Sequence, residues 1–180
     1  MPLQQIAIIT TVFLGLFAAP AGQNAGPNLQ RLSVPTRSWS VEISLPNFTI
    51  KQNALSADGR ARRLDAYIDS EGYVVTVNIV PASTPKVSSK DLRDLAAERL
   101  KIDTAVKGDG FRVSEYKQTP TFEYFAREFK TELLNQKHFY AYVSRDNIWI
   151  DIHLSKTPYR EGDEKVFHSI LDSIKFTGGR

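Results

Sequence analysis

The chain has 180 residues, of which 42% are hydrophobic and 11% aromatic, and its Lys and Arg outnumber Asp and Glu by 23 to 20, a formal charge of +3. That apolar content suffices for one sizeable core and excludes a disordered chain, while so small an excess of charge, scattered along the sequence, argues against nucleic acid as a partner. With no cysteine, disulfides, thiol catalysis, thiolate metal sites and a cysteine-borne lipid anchor are all excluded, so stability rests on packing.

At the N-terminus, Ile6 to Ala19 (IAIITTVFLGLFAA) carries no charge. The run is long enough for the core of a signal peptide and short of the roughly 20 residues a bilayer span needs. Ala19-Pro20-Ala21 offers a small-x-small cleavage pattern, with Gln23-Asn24-Ala25 as a second candidate. Residues 1–21 therefore read as a cleavable export signal, and the mature protein as periplasmic or secreted. No Lys or Arg precedes the run, so an uncleaved segment is the competing reading. It would make the protein a membrane-anchored structural component of the envelope, and only in that case is a membrane a partner. Gly22 to Arg37 is rich in Gly, Pro, Asn and Gln and reads as a flexible linker without core positions, leaving 38–180 as a single domain.

Trp39, Val41, Ile43 and Leu45 alternate strictly, the period of a half-buried strand, until Pro46 stops it. Asn47-Phe48-Thr49 matches the N-glycosylation acceptor, a pattern common by chance. Leu64, Ala66 and Ile68 alternate before the polar Asp69–Gly72 loop, and Val75, Val77 and Ile79 after it, which predicts a hairpin. From Ser88 to Ile102 the period changes to that of a helix, with Leu92, Leu95, Ala96, Arg99 and Leu100 on one stripe and Ser88 and Asp91 as a capping pair. Four short strands follow: Phe111–Lys117, Thr121–Lys130, Lys137–Ser144 and Ile148–Ser155, an antiparallel meander. Aromatic residues on both faces of the second, Phe122, Tyr124, Phe125 and Phe129, mark it as a central strand covered on both sides. Val166, Phe167, Ile170, Leu171 and Ile174 recur at helical spacing and predict a closing helix over Glu161–Ile174. The fold class is accordingly α+β, a mostly antiparallel sheet flanked by helices.

If Asp146-Asn147 forms a two-residue turn, Val143 faces Ile150, Ala141 faces Ile152 and Phe139 faces Leu154, so apolar meets apolar at every pair. The opposite face then gathers His138, Tyr140, Tyr142, Trp149, Asp151 and His153, with Tyr142 across from Asp151 and Tyr140 across from His153. Two readings stand: a helix covers the rings, or the face is open and binds a protein or small ligand through Tyr140, Tyr142, Trp149, Asp151 and His153. Burial of Trp149 under the closing helix would decide for the first. A third reading, a hydrolase or ligand-modifying enzyme built on Asp151 and His153, needs those side chains to converge, yet two positions apart on one strand they lie roughly 7 Å apart, too far for a triad contact. With three histidines in the chain and His168 on the closing helix, no metal site is expected, nor any cofactor. Arg60, Arg62 and Arg63 form a weaker basic patch for an anion. Gly108-Asp109-Gly110 lacks the Lys-Ser/Thr ending of a phosphate loop.

The segment order, with SLPNFTI after the first strand and VFHSILDSIKF at the close, resembles the PsbP-like family over about Trp39 to Phe176. The resemblance implies an α/β/α sandwich around an antiparallel sheet and a non-enzymatic accessory or binding role. It carries no catalytic residues across.

Overall fold

The computed structural model describes residues 28–34, 36–84, 86–103, 112–130 and 132–179. The export segment with its cleavage sites and the Gly108–Gly110 motif lie outside the described residues. Ten strands and two helices occur in the order β1 (Leu29–Ser33), β2 (Trp39–Ser44), β3 (Thr49–Leu55), β4 (Arg62–Ile68), β5 (Tyr73–Pro81), α1 (Ser89–Asp103), β6 (Arg112–Gln118), β7 (Glu123–Lys130), β8 (Asn135–Arg145), β9 (Ile148–Lys156), α2 (Glu164–Asp172) and β10 (Lys175–Gly178). Seven strands form one sheet in the order β3-β4-β5-β9-β8-β7-β6, and β1-β2-β10 form a second. Every pairing is antiparallel. The α+β class expected from the period changes is the one observed. Among the described residues, no helix is long and apolar enough to cross a membrane.

Both expected hairpins form, each for a local reason. Asp146 and Asn147 adopt φ of 51° and 59°, the pair of left-handed residues that matches a two-residue turn to the twist of its strands. The resulting register pairs Val143 with Ile150, Ala141 with Ile152 and Phe139 with Leu154, as the apolar pattern requires. The tip is latched: Trp39 Nε1 donates to Asp146 Oδ2 at 2.9 Å, and the Arg37 guanidinium donates to the Asp146 carbonyl at 2.9 and 3.2 Å. At the β4–β5 turn, Gly72 has φ +72°, and a Cβ there would run into the Thr157 carbonyl oxygen, so only glycine fits.

One face of the large sheet carries Leu64, Ala66, Val75, Val77, Ile79, Ile150, Ile152 and Leu154, all buried. It forms one continuous core with Val41 and Ile43 of the small sheet and Phe167, Ile170 and Leu171 of α2. Helix α1 lies on the other face, against β7 and β8. Its start is capped as expected, with the Asp91 amide donating to Ser88 Oγ at 3.1 Å and the Ser88 amide to Asp91 Oδ2 at 3.3 Å. Tyr124 and Phe125, neighbours on β7, are both buried, one on each face, so this strand is covered on both sides.

The differences from the sequence reading include the strand β3, shifted ends of several strands, two larger changes of boundary and one helix face. The stretch read as a linker over 22–37 contains β1, whose Leu32 is 0% exposed, and Val34 just after it is 2% exposed. Only two apolar residues alternate there, too few to signal a strand, and the segment is held by pairing with β2. The closing helix stops at Asp172, and Lys175–Gly178 returns as a strand on the other edge of β2. On α1, Leu95 is exposed while Arg93 and Ala97 are buried. At about 100° per residue the inward arc centres between positions 93, 96, 97 and 100, and Leu95 falls about 150° from that centre, on the outward side.

Candidate functional site

The α1 side of the large sheet is built in cross-strand rows. Arg63, Asn78, Asp151, Tyr142 and Glu123 lie opposite one another from β4 to β7; the next row is Asp65, Thr76, His153, Tyr140 and Phe125; the third is Tyr67, Val74, Ser155, His138 and Arg127. The antiparallel register thus places Tyr142 beside Asp151 and Tyr140 beside His153, the neighbours expected from the hairpin.

The five residues do not form one open face. Tyr140, Tyr142 and Trp149 are 9%, 7% and 6% exposed, and with Phe125 they make a separate apolar cluster closed by Leu92 and Ala97 of α1. The covering element is therefore α1, and the closing helix α2 sits on the opposite side. Asp151 and His153, beside the rings, remain partly exposed. An ion pair within this layer, Arg93 Nη1 to Glu123 Oε2 at 2.6 Å, ties α1 to β7, and the Ser144 amide donates to Ser89 Oγ at 3.0 Å.

Rings stack along the second row: Tyr140 on His153 at 4.4 Å with planes 5° apart, and Phe125 on Tyr140 at 5.0 Å and 20°. His138 Nδ1 is 2.9 Å from His153 Nε2, and His138 Nε2 is 3.3 Å from Gln136 Oε1. A carboxamide oxygen only accepts, so His138 carries its proton on Nε2, and His153 Nε2–H donates to His138 Nδ1. Burial pushes His153 down to about 3, with the His138 and Arg127 charges adding to it, and burial followed by Arg127 pushes His138 down to about 4. Both imidazoles are neutral at neutral pH and weakly basic.

Asp151 shows the opposite tendency. Burial raises its carboxyl to about 6, against a hydrogen bond from Asn78 and the charge of Arg63. Its Oδ1 is shut off from solvent without a hydrogen-bond partner, as is Trp149 Nε1. Burial likewise raises the Tyr140 and Tyr142 hydroxyls above their ordinary value.

The hydrogen bond from His153 goes to His138 and that to Asp151 comes from Asn78, so the two side chains named for catalysis are engaged with different partners. Among the described residues, no three His, Cys, Asp or Glu side chains are grouped to hold a metal. The arginine patch is not brought together either, because Arg62 and Arg63 point to opposite sides of β4. Arg62 donates to the Ser33 carbonyl at 2.9 Å and to Asn53 Oδ1 at 2.7 Å, joining β4 to β1 and β3. Arg63 pairs with Asp65 at 2.8 Å, while Arg60 lies in the preceding turn, its amide donating to Asp58. The sequence reading missed Asn78 as the partner of Asp151. It comes from β5, which reaches β9 only through a non-sequential pairing, so no local pattern signals it. Phe125 and His138 were visible as face residues by alternation, but their stacking follows from the register between β7, β8 and β9.

No family model matches the sequence, and a search of curated proteins finds no match. Among solved structures, a point mutant of the protein Mog1 matches with a TM-score of 0.50 and 8% identity, covering 82% of this chain and 95% of that one. LpqN of Mycobacterium tuberculosis, described as involved in cell envelope biogenesis, matches with a TM-score of 0.48 and 9% identity over 83% of this chain and 90% of that one. The likeness to Mog1 is one of fold, a sheet-rich α/β architecture.

Proposed function

We propose that the chain is an exported, non-catalytic binding or accessory protein of PsbP-like kind, and that it takes a protein or small ligand on the α1 side of its large sheet. The observation that carries this reading is the asymmetry of the two faces. One is lined mainly by apolar side chains and closed by α2 and the small sheet. The other gathers stacked rings, two histidines and a carboxylate whose Oδ1 lacks a hydrogen-bond partner. His153 does not fit the part of general base: an imidazole held at about 3 is far from the value near the working pH that this needs. Export rests on the apolar run over Ile6–Ala19.

The test uses a photo-crosslinking residue in place of Val74, which is 44% exposed in the third row of this face, and as a control in place of Leu133, which is 97% exposed elsewhere. Irradiated in its own cells, the protein is expected to give one discrete adduct from position 74, lost on Asp151→Ala, and none from position 133. Equal adducts from both positions, or none from position 74, would refute the reading. The mass of the exported chain tests export separately, with Gly22 expected as the first residue.

A further inference from the structure

We propose that α1 is a displaceable cover, which opens from the sheet as a unit and uncovers the ring face formed by Phe125, Tyr140, Tyr142 and Trp149. The inference deepens the binding reading, on which its functional meaning rests, because it says how a surface that is buried in the closed form becomes reachable.

Three features set α1 apart from the rest of the molecule. First, its seat is a cluster of its own: the rings meet Leu92 and Ala97 of α1, whereas the main core is completed by α2 and the small sheet on the opposite face. Lifting α1 leaves that core whole. Second, the apolar footing of α1 is small beside the main core: Leu92 and Ala97 are buried, Ala96 and Leu100 are partly buried against the same cluster, and Leu95 is turned outward at 36% exposure. Third, Trp149 Nε1, in the cluster that α1 closes, is shut off from water without a hydrogen-bond partner. Opening returns that atom to water, so part of the cost of exposing the rings is offset. Among the contacts that oppose opening are the Arg93–Glu123 pair at 2.6 Å and the hydrogen bond from the Ser144 amide to Ser89 Oγ at 3.0 Å. Elements with few buried apolar contacts open sub-globally, below the free energy of full unfolding.

Amide hydrogen exchange of the unmodified full chain tests this. Amides of α1 are expected to exchange at least about a hundredfold faster than those of β8 and β9, with a weaker dependence on denaturant. Exchange of α1 at the β8–β9 rate, with the same denaturant dependence, would overturn the proposal. Arg93→Ala provides a second measurement. It is expected to speed α1 exchange by about tenfold or more, as loss of a charged partner implies, while β8 and β9 stay unchanged. A parallel rise in β8 and β9 would show helix and sheet to be one cooperative unit and would also overturn it. The two proposals fail separately: a missing adduct at position 74 removes the binding reading and leaves the exchange result standing, whereas uniform exchange removes the cover alone.

Discussion

Asp151→Asn keeps the shape of the side chain and removes its charge, so the substitution isolates the cost of burying that charge. The carboxyl has an ordinary value of 3.8 and is raised to about 6 by burial between β5 and β8. Each unit of difference between folded and unfolded chain corresponds to about 1.4 kcal/mol, so ionising Asp151 in the folded protein costs about 3 kcal/mol more than in the unfolded chain. Because the folded value is raised, the stabilising contribution is fully present below about 3.8 and is lost as the pH rises through about 6. Asp151 retains some exposure although its Oδ1 is covered, so 3 kcal/mol is an upper figure. Asparagine stays neutral and keeps an acceptor for Asn78. The variant is therefore expected to exceed the parent in stability by about 2 to 3 kcal/mol at pH 7, with the gain shrinking to near zero at pH 4. Urea unfolding followed by tryptophan fluorescence at pH 4, 5, 6 and 7 measures the difference at each pH. A difference that does not change with pH, or an asparagine variant that is the less stable at pH 7, would show the carboxylate to be well partnered and refute the reasoning.

The remaining predictions concern other parts of the fold. His153 has the opposite sign: its folded value is depressed from 6.5 to about 3, so its contribution is full above about 6.5 and falls as the pH drops. His153→Gln should consequently flatten the acid limb below pH 6.5 by about 1 kcal/mol per pH unit, read by the same urea series. Gly72→Ala should destabilise by more than about 2 kcal/mol, since it adds a left-handed penalty to a backbone collision; an unchanged thermal midpoint would contradict the close approach. Leu32→Ala should cost about 3 kcal/mol, as for a fully buried leucine, and an effect under about 0.5 kcal/mol, as for a surface substitution, would restore the linker reading of that segment.

Local periodicity determined most of the elements by itself. Strict alternation over Trp39–Leu45 and on either side of Asp69–Gly72 names β2, β4 and β5, and the change of period at Ser88 names α1 with its cap. The Asp146-Asn147 turn even determined a register, because a one-residue slip would place Val143, Ala141 and Phe139 on the polar face. Where the signal spans two apolar residues, as in β1, or four residues after a helix, as in β10, alternation is too short to register. Both strands exist because β2 offers them an edge on each side.

The candidate site divides along the same line. Which side chains share a face follows from the two-residue period of a strand, so Tyr140, Tyr142, Trp149, Asp151 and His153 were identifiable from the sequence as a group. Whether that face meets water was decided only by the tertiary structure. Burial depends on which element packs above, and α1 is joined to this face through contacts with β7 and β8 that lie far along the chain. The same holds for Asn78 beside Asp151 and for the hydrogen bond between His153 and His138. Each is a contact between strands whose order in the sheet departs from their order in the sequence, or a hydrogen bond whose direction depends on a third residue, and neither leaves a local trace.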